Sequence, residues 1–177
     1  YDTFRNDALA DAVSHLSPYL HFGQLSPLQV ALTVQEQTAP DVPVYLEQLI
    51  VRRELSMNFV NYNAGYDDYE QAVPQWARKT LFEHARDPRS RYSLEQLEHS
   101  ETNDSYWNAM MREMVLTGYL HNYLRMYWGK RIIEWSPDPE EAFHRIAHLN
   151  NKHFVDGRDP VSWGNVAWCL GKHDRPW

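Results

Sequence analysis

Hydrophobic positions recur along this chain at about the 3.6-residue spacing of an amphipathic helix, and rarely in the alternation that marks a half-buried strand. Residues 26–37 show the helical pattern with a recognisable start, because Ser26 can cap the helix and Pro27 suits its first position. No short stretch alternates strictly enough to predict a strand. The pattern therefore predicts an all-α fold.

A longer amphipathic helix is predicted over residues 42–63, with Asp41 and Pro43 marking its start. Regular helical spacing gives this helix one apolar face, which we expect to be buried. That face comprises Leu46, Leu49, Ile50, Leu55 and Phe59. The next residues, 64–75, contain a glycine and a proline and are predicted to form a loop.

The second half of the chain is predicted to hold four more helices. They cover residues 76–87, 93–100, 104–135 and 136–152. The second begins with a capping box, in which Ser93 and Gln96 satisfy each other's backbone N–H groups. The longest has Gly118, a weak helix former, near its middle. The last begins with acidic residues that suit the positive end of a helix.

Composition indicates a single globular domain. The 177 residues suffice for a real core, and 43% of them are hydrophobic, which argues against disorder. No apolar run approaches the roughly 18 residues of a membrane-spanning helix.

The single cysteine, Cys169, excludes an internal disulfide and suits a reducing, intracellular setting. We expect it to be a buried apolar residue. The net charge of −7 argues against a surface that is basic all over, but it allows a local basic patch for nucleic acid.

Large side chains recur every seven residues across the longest predicted helix. The positions are Trp107, Met114, His121, Trp128 and Trp135. Such a stripe is most often a core seam, since large apolar residues on one helix face usually pack. Because indole rings can be oxidised, the alternative is an electron relay to a buried cofactor. On a straight helix Trp107 would lie about 30 Å from Trp128, so it could join a relay only if the helix breaks near Gly118.

Other patterns of chemical interest are weak. His144 and His148 stand four residues apart, a spacing that can bind a metal. The chain lacks the glutamate of the HExxH zinc-protease pattern, and histidines on a surface helix are usually not ligands, so we expect no metal site. The chain also lacks a glycine-rich phosphate loop and a nucleophile motif of the hydrolase type.

Several longer motifs occur together along the chain. They are Tyr1 with RND (5–7), SHLSPYLHFGQLSP (14–27), LEQLIVRRELSMNF (46–59), YWNAMMREMV (106–115), GYLHNYLRMYWGKRIIEW (118–135), DGRDP (156–160) and AWCLGKHDRPW (167–177). The combination of RRELxxNF, RMYW with a further tryptophan seven residues on, and DGRDP is highly specific. With these motifs the chain resembles the helical flavin-binding domain of the photolyase/cryptochrome superfamily, and most closely the class II deoxyribodipyrimidine photolyases.

The resemblance extends over essentially the whole chain and implies what it binds and does. Members of this family hold FAD in a bent conformation, and the light-excited reduced flavin donates an electron to a cyclobutane pyrimidine dimer flipped out of DNA. The implied activity is that of a carbon–carbon lyase acting on UV-damaged DNA, in the cytoplasm or, in a eukaryote, the nucleus. Residues 1–177 would form the helical catalytic part of a longer, monomeric photolyase, without its N-terminal α/β antenna domain.

The resemblance also assigns residues to the cofactor. Residues 14–17 match a turn that cradles the flavin phosphates, Arg125 matches an arginine beside the flavin ring that pairs with Asp156, and the DGRDP turn is expected to close over the ring. Without the resemblance, Ser17 is simply a helix cap and the arginine pair a structural one. The implied cofactor-binding residues are Tyr1, Ser14, His15, Leu16, Ser17, Arg53, Arg125, Asp156, Arg158, Asp159 and Val161.

Electron transfer and DNA contact are implied for two further groups of residues. In the family, tryptophans at the positions of Trp107, Trp128 and Trp135 photoreduce the flavin, with Trp128 nearest to it. The catalytic acidic position that faces the lesion falls on Glu47 or Gln48. The implied DNA contacts are Arg52, Asn122, Trp168 and Trp177.

The chain departs from the family pattern at two places. Class II members usually have DGRDPN, whereas this chain has Val161, which cannot accept a hydrogen bond from flavin N5. An amide at Gln48 would also bind the dimer more weakly than a carboxylate. Val161 favours an alternative function, a cryptochrome-like photoreceptor that forms a flavin radical without repair. A third interpretation is a flavin-free helical remnant with a DNA-binding or structural role.

Overall fold

The computed structural model describes residues 1–173 and contains helices but no strand within that range, which confirms the all-α prediction. The helices are α1 (Ser17–His21), α2 (Pro27–Gln35), α3 (Val42–Leu46), a π-helical segment (Glu47–Arg52), α4 (Arg53–Tyr62), α5 (Tyr69–Ala72), α6 (Gln75–Glu83), α7 (Leu94–Glu98), α8 (Ser105–Thr117), α9 (Asn122–Trp135), α10 (Pro139–His153) and α11 (Pro160–Cys169).

The helix starts predicted at Ser26 and Ser93 form as predicted, whereas the helix predicted from residue 136 begins at Pro139. The Ser26 hydroxyl accepts a hydrogen bond from the Gln29 N–H and caps α2. The capping box of α7 is complete, since Ser93 and Gln96 exchange hydrogen bonds between side chain and backbone. Asp138 caps α10 in the same way, at 2.8 Å from the backbone nitrogen of Glu141. These helices follow from local chemistry.

The longest predicted helix, over residues 104–135, is wrong as a single element: it is two helices that meet at Gly118. Gly118 ends α8 with a φ of 69°, in the left-handed region that a residue with a side chain enters at a cost. A Cβ atom at this position would lie 2.3 Å from Cγ2 of Val155, so the packing also requires glycine. The break folds α9 back along α8, so residues at the far ends of the predicted helix become neighbours.

The helix predicted over residues 42–63 contains a π-helical turn that changes its buried face. Ile50 and Leu55 were both expected to be buried, but they are 43% and 57% exposed. A π turn adds one residue to the helical repeat, and the face beyond it rotates accordingly. Ser56 lies on the rotated inner face instead, where it approaches Gly164 so closely that a Cβ on Gly164 would lie 2.7 Å from its hydroxyl.

Two helices were not predicted. The stretch 64–75, interpreted as a loop, contains the single-turn helix α5. The more important one is α11, which Asp159 caps and Pro160 opens. Because α11 is covered by α4, α9 and α10 on several sides, its apolar residues do not follow the spacing of a single helix face, and the sequence pattern did not predict it. This helix begins at the end of the DGRDP turn, whose two aspartates, Asp156 and Asp159, are buried.

The main hydrophobic core is built from residues between Ala72 and Leu170. Trp107, Trp128 and Trp135 are each 2% exposed or less, which confirms that the seven-residue stripe is a core seam. Cys169 is buried as expected, and burial raises the pKa of its thiol to about 12. Among the residues that the structure describes, none belongs to a helix long and apolar enough to cross a membrane.

Candidate cofactor and electron-transfer site

Arg125 of α9 is fixed in one orientation by three partners. Its two terminal nitrogens donate to the two carboxylate oxygens of Asp156 at 2.9 and 3.2 Å, and its Nε donates to the carbonyl of Leu120 at 3.0 Å. The guanidinium also stacks on the ring of Phe154, 3.8 Å from its centroid. A planar fork held in this way is a preorganised positive charge. The predicted pairing of Arg125 with Asp156 is confirmed.

The turn that carries Asp156 is tightly packed against the end of α10. A Cβ on Gly157 would meet the carbonyl oxygens of Asn150 and Phe154 at 2.7 and 2.9 Å. Arg158 has a φ of 68°, its side chain is exposed, and its N–H donates to the side chain of Asn151. The turn therefore has little freedom to rearrange.

Asp159 connects three other elements at the same place. Its carboxylate lies 3.6 Å from Arg53 of α4 and 3.2 Å from Nδ1 of His21 in α1. It also caps α11 by accepting a hydrogen bond from the N–H of Val161 at 2.8 Å. The carboxylate is almost buried, so these contacts are protected from solvent. The predicted residues Arg53, Asp159 and Val161 are thus brought together.

The turn at residues 14–17 leads into α1 without a side-chain cap, so the simple serine cap considered for Ser17 is not formed. His15 has a φ of 54°, pairs with Asp11 at 2.6 Å and packs its ring 5.0 Å from that of Tyr119. Ser14 and Ser17 are exposed, whereas Leu16 is half-buried. Their hydroxyls and the helix-start N–H groups can therefore reach a ligand.

An open hollow of about 450 Å³ lies beside this turn. Tyr1 and Ser14 line it on one side, and residues of α2 and α3 line the other. The α-amino group of Tyr1 donates to Asp41 at 2.7 Å, and its ring meets that of Tyr45 edge-on at 5.3 Å. Tyr1 is therefore held in place next to the predicted phosphate turn.

The space directly between α9 and the DGRDP turn is filled, contrary to the expectation that this turn closes over a flavin ring there. Phe154 occupies it, packing against Arg125 and, at 6.0 Å between ring centroids, against Trp128. The remaining hollow, bordered by Arg125, Trp128 and Asn150, has a volume of about 10 Å³ and suits one water molecule.

The donor set nevertheless fits a flavin dinucleotide. Ser14 and Tyr1 line the open hollow, together with Asp11 and Asp41, and α1 begins next to it without a side-chain cap. Arg125 supplies a fixed cation elsewhere, at the DGRDP turn. Trp128 adds a buried Nε1 that has no hydrogen-bond partner among residues 1–173.

Trp107 contacts both of the other buried tryptophans, Trp128 and Trp135, and the three form a row in the core. The Nε1 of Trp107 donates to the backbone oxygen of Trp128 at 3.0 Å, and the rings of Trp107 and Trp135 meet edge-on at 5.3 Å. Tyr92, which is only half-buried, meets Trp135 at 5.2 Å. Trp107 therefore lies between Trp128 and Trp135. The helix break near Gly118 makes this order available, as the relay interpretation required.

A charged cluster borders the outer end of the row. Arg131 stacks over Trp135 at 4.5 Å and lies 3.3 Å from Asp104, and the Tyr127 hydroxyl donates to Asp104 at 2.6 Å. Burial raises the pKa of Asp104, but the hydrogen bonds from Tyr127 and the Trp107 N–H, with the charge of Arg131, outweigh it and hold the pKa below its usual range. The carboxylate offsets the positive charge beside Trp135.

The residues predicted to face DNA are less closely grouped. The π-helical segment carries Glu47, Gln48 and Arg52, and Arg52 pairs with Glu47 at 3.2 Å. Asn122 is exposed at the first position of α9. Trp168 is half-buried in α11, and Trp177 lies outside the described residues.

Sequence reasoning missed His21, Tyr92, Asn150 and Phe154. Asn150 had a usable signal: it falls in helical phase with the buried residues Phe143, Ile146 and Ala147, and a polar side chain on such a stripe requires partners. It exchanges hydrogen bonds with Ser162 and borders the small hollow beside Arg125. The other three gave no signal, because their roles depend on contacts between distant segments.

Metal ligands do not cluster in this structure. Across residues 1–173 no group of three or more histidine, cysteine, aspartate or glutamate side chains is arranged to hold an ion. His144 is exposed and lies 4.0 Å from Glu140, and His148 is also exposed.

The chain is similar over its whole length to curated proteins named deoxyribodipyrimidine photo-lyase. It is 51% identical over 178 residues to the protein from Methanothermobacter thermautotrophicus and 49% identical over 183 residues to that from Arabidopsis thaliana, covering 100% of this chain and 39% and 37% of those proteins. The protein from Potorous tridactylus is 45% identical over 98% of this chain and 33% of its own length. No protein-family model matches the chain. The chain thus spans 39% or less of the length of these relatives, and over that part it is a homologue of deoxyribodipyrimidine photo-lyases.

Proposed function

We propose that this chain is the flavin-binding helical part of a class II photolyase that repairs cyclobutane pyrimidine dimers in DNA with light. The observation that carries the proposal is the identity of 45% to 51% with proteins named deoxyribodipyrimidine photo-lyase, extending over all or nearly all of the chain. On this proposal residues 1–177 are one catalytic domain of a longer, monomeric intracellular enzyme.

FAD would be held at two places. Tyr1 and residues 14–17 would take the phosphates, because hydroxyls and free N–H groups at a helix start suit an anion. Arg53, Arg125, Asp156 and Asp159 would hold the ring end. When bound, FAD supplies the light-absorbing ring that gives an electron to the dimer and receives it back.

Arg125 would favour the negatively charged reduced form of the ring. Its guanidinium cannot lose its proton at physiological pH, and Asp156 and the Leu120 carbonyl fix its orientation. Asp156 would act through Arg125 by holding its fork. Asp156 compensates part of the positive charge, and its two hydrogen bonds fix the plane of the guanidinium. A lysine, whose ammonium is mobile, would not have a fixed hydrogen-bonding plane.

The row of tryptophans would deliver electrons toward the flavin. Trp128 packs on Phe154, on which Arg125 also stacks, so Trp128 is the tryptophan at the flavin end of the row. Trp107 comes next, and Trp135 lies at the other end beside Tyr92. Each of the three indoles is 2% exposed or less, so water has little access to them. The half-buried Tyr92 provides the approach to solvent.

The lesion would be recognised by flat and polar side chains. Trp168 offers a surface for a flipped base, and Arg52, Asn122 and Trp177 would contact the strand. Glu47 or Gln48 would meet the dimer. Because Glu47 already pairs with Arg52, Gln48 is the freer of the two to do so.

A cryptochrome-like photoreceptor is the second candidate, and Val161 favours it, because valine offers the flavin no hydrogen bond. Asn150 weighs against it, since its buried amide borders the same small hollow as Arg125.

The two candidates differ in one experiment. The purified chain is loaded with FAD, its visible spectrum is recorded, and it is illuminated with a thiol reductant and with UV-irradiated DNA. Photoreduction followed by loss of dimers supports repair, whereas a stable radical without loss of dimers supports the photoreceptor. Failure to take up flavin supports the flavin-free remnant.

A further inference from the structure

Trp76 is a large aromatic side chain that no part of the proposed mechanism uses. It lies in the first turn of α6 and is 56% exposed, in contrast to the three buried tryptophans of the core row. An exposed tryptophan is an unfavourable surface residue unless something covers it. Its surroundings indicate what that is.

The ring of Trp76 is fixed in place rather than free in solvent. The loop after α11 runs against it so closely that a Cβ on Gly171 would lie 3.2 Å from two atoms of the indole ring. His173 meets Trp76 edge-on at 5.8 Å between centroids and meets Trp168 edge-on at 5.5 Å. Trp76, His173 and Trp168 therefore form one aromatic group across α6 and α11, with Trp76 as its exposed member.

The charges beside this group are mixed. Arg78 and Lys79 follow Trp76 in α6, but Glu83 ends the same helix and lies 3.9 Å from Lys79. The feature that suits single-stranded nucleic acid is therefore the aromatic group itself, because unpaired bases stack on rigid aromatic side chains.

We propose that Trp76 stacks against an unpaired base of the DNA strand next to the flipped nucleotide, and so extends the surface begun by Trp168. This inference rests on the proposed function for the presence of DNA. Trp76 would contribute to strand binding without regard to the lesion, because stacking on an indole does not distinguish one base from another.

The test uses undamaged, dye-labelled oligothymidylate in the dark, where repair plays no part. Binding to the whole chain is measured by fluorescence anisotropy. Trp76→Ala should bind about 5- to 100-fold more weakly, the range found for loss of one stacked base, and Trp76→Phe should recover part of the loss. Phe82→Ala is the matched control, because Phe82 is 80% exposed in the same helix, and its affinity should not change.

A direct contact is tested by light-induced cross-linking to an oligonucleotide that contains 5-iododeoxyuridine. The inference predicts a cross-link on the peptide that contains Trp76. If the unaltered chain binds DNA but Trp76→Ala binds equally well, the inference is wrong and the proposed function stands. If the unaltered chain binds no oligothymidylate, the inference is wrong, and the loss of dimers from UV-irradiated DNA tests the proposed function separately. Self-association that Trp76→Ala abolishes would also overturn the inference, since the ring would then be covered by protein.

Discussion

Arg125 and Asp156 join α9 to the turn before α11 through two parallel hydrogen bonds, 2.9 and 3.2 Å long. Both side chains are about nine-tenths buried. Replacing Asp156 with alanine would leave the guanidinium without its carboxylate, and breaking such a pair typically costs about 3 kcal/mol or more. We expect Asp156→Ala to lower the free energy of unfolding by that amount in urea denaturation.

The control for this prediction is an ion pair on the surface. Glu134 lies 2.6 Å from Arg131 but is 55% exposed, so Glu134→Ala should cost less than about 1 kcal/mol. A double-mutant cycle with Arg125→Ala separates the pair from its surroundings. Equal costs for Asp156→Ala and Glu134→Ala would show that the buried pair has no special role.

Gly157 should not tolerate any side chain. A Cβ there would lie 2.7 to 3.1 Å from backbone atoms at residues 150, 151 and 154, which cannot rotate away. Gly157→Ala should therefore cost about 3 kcal/mol, at the upper end of what overpacking costs. Gly23→Ala is the comparison: Gly23 has a φ of 67° but open space around it, so only about 1 kcal/mol of backbone strain is expected. Thermal unfolding measures both, and the reverse order would contradict the packing described for the turn.

Each tryptophan of the core row should be required for light-driven reduction of bound flavin. We expect Trp128→Phe, Trp107→Phe and Trp135→Phe to abolish photoreduction while flavin stays bound, because phenylalanine keeps an aromatic ring but is far harder to oxidise. Absorption spectra recorded during illumination measure both properties. Trp163→Phe is the matched control, since Trp163 packs on Tyr66 and Phe143 away from the row. Photoreduction that survives Trp107→Phe would remove Trp107 from the relay.

The hydrogen bond from Tyr127 to Asp104 should make stability depend on pH in the acid range. The pKa of Asp104 is lowered in the folded chain, so its contribution is present above the unfolded value of about 3.9 and is lost as the pH falls from there through the lower folded value. Tyr127→Phe removes the bond and should cost about 1.5 kcal/mol at neutral pH, with a smaller difference in acid. Denaturant unfolding at both pH values measures this, with the exposed Tyr62→Phe as the control. A difference that does not change with pH would exclude Asp104 as the acceptor.

Cys169 should be unreactive in the folded chain. Its side chain is buried and burial raises the pKa of the thiol to about 12, so almost no thiolate forms at about pH 8. A thiol-specific dye should therefore label the folded chain very slowly and the unfolded chain at once. Rapid, complete labelling under native conditions would show that α9 and α11 separate readily.

Much of the fold could be predicted from local chemistry. Ser26 and Ser93 cap the helices that they were expected to cap, because the donor and acceptor are three residues apart and need no tertiary contact. The π-helical turn could not be predicted, because its extra residue is accommodated by packing against other helices. The exposure of Leu55 is the consequence.

One contact between two predicted site residues could be predicted from the motifs. Arg125 and Asp156 were expected to meet and do meet. The place of a flavin ring between α9 and the following turn was not correctly predicted, because nothing in the sequence shows that Phe154 folds back under Arg125. The order of the indoles likewise depended on how sharply the chain bends at Gly118, which spacing alone does not determine.

Light-driven repair by the flavin-loaded chain is the central step of the proposed function. The decisive measurement is the number of cyclobutane dimers left in UV-irradiated DNA after blue-light illumination with the reduced, FAD-loaded chain, compared with the same mixture in the dark. We predict that dimers disappear in the light, remain in the dark, and remain in the light when Arg125→Ala replaces the unaltered chain. Unchanged dimer content in the light, with flavin bound and reduced, would contradict the proposed function.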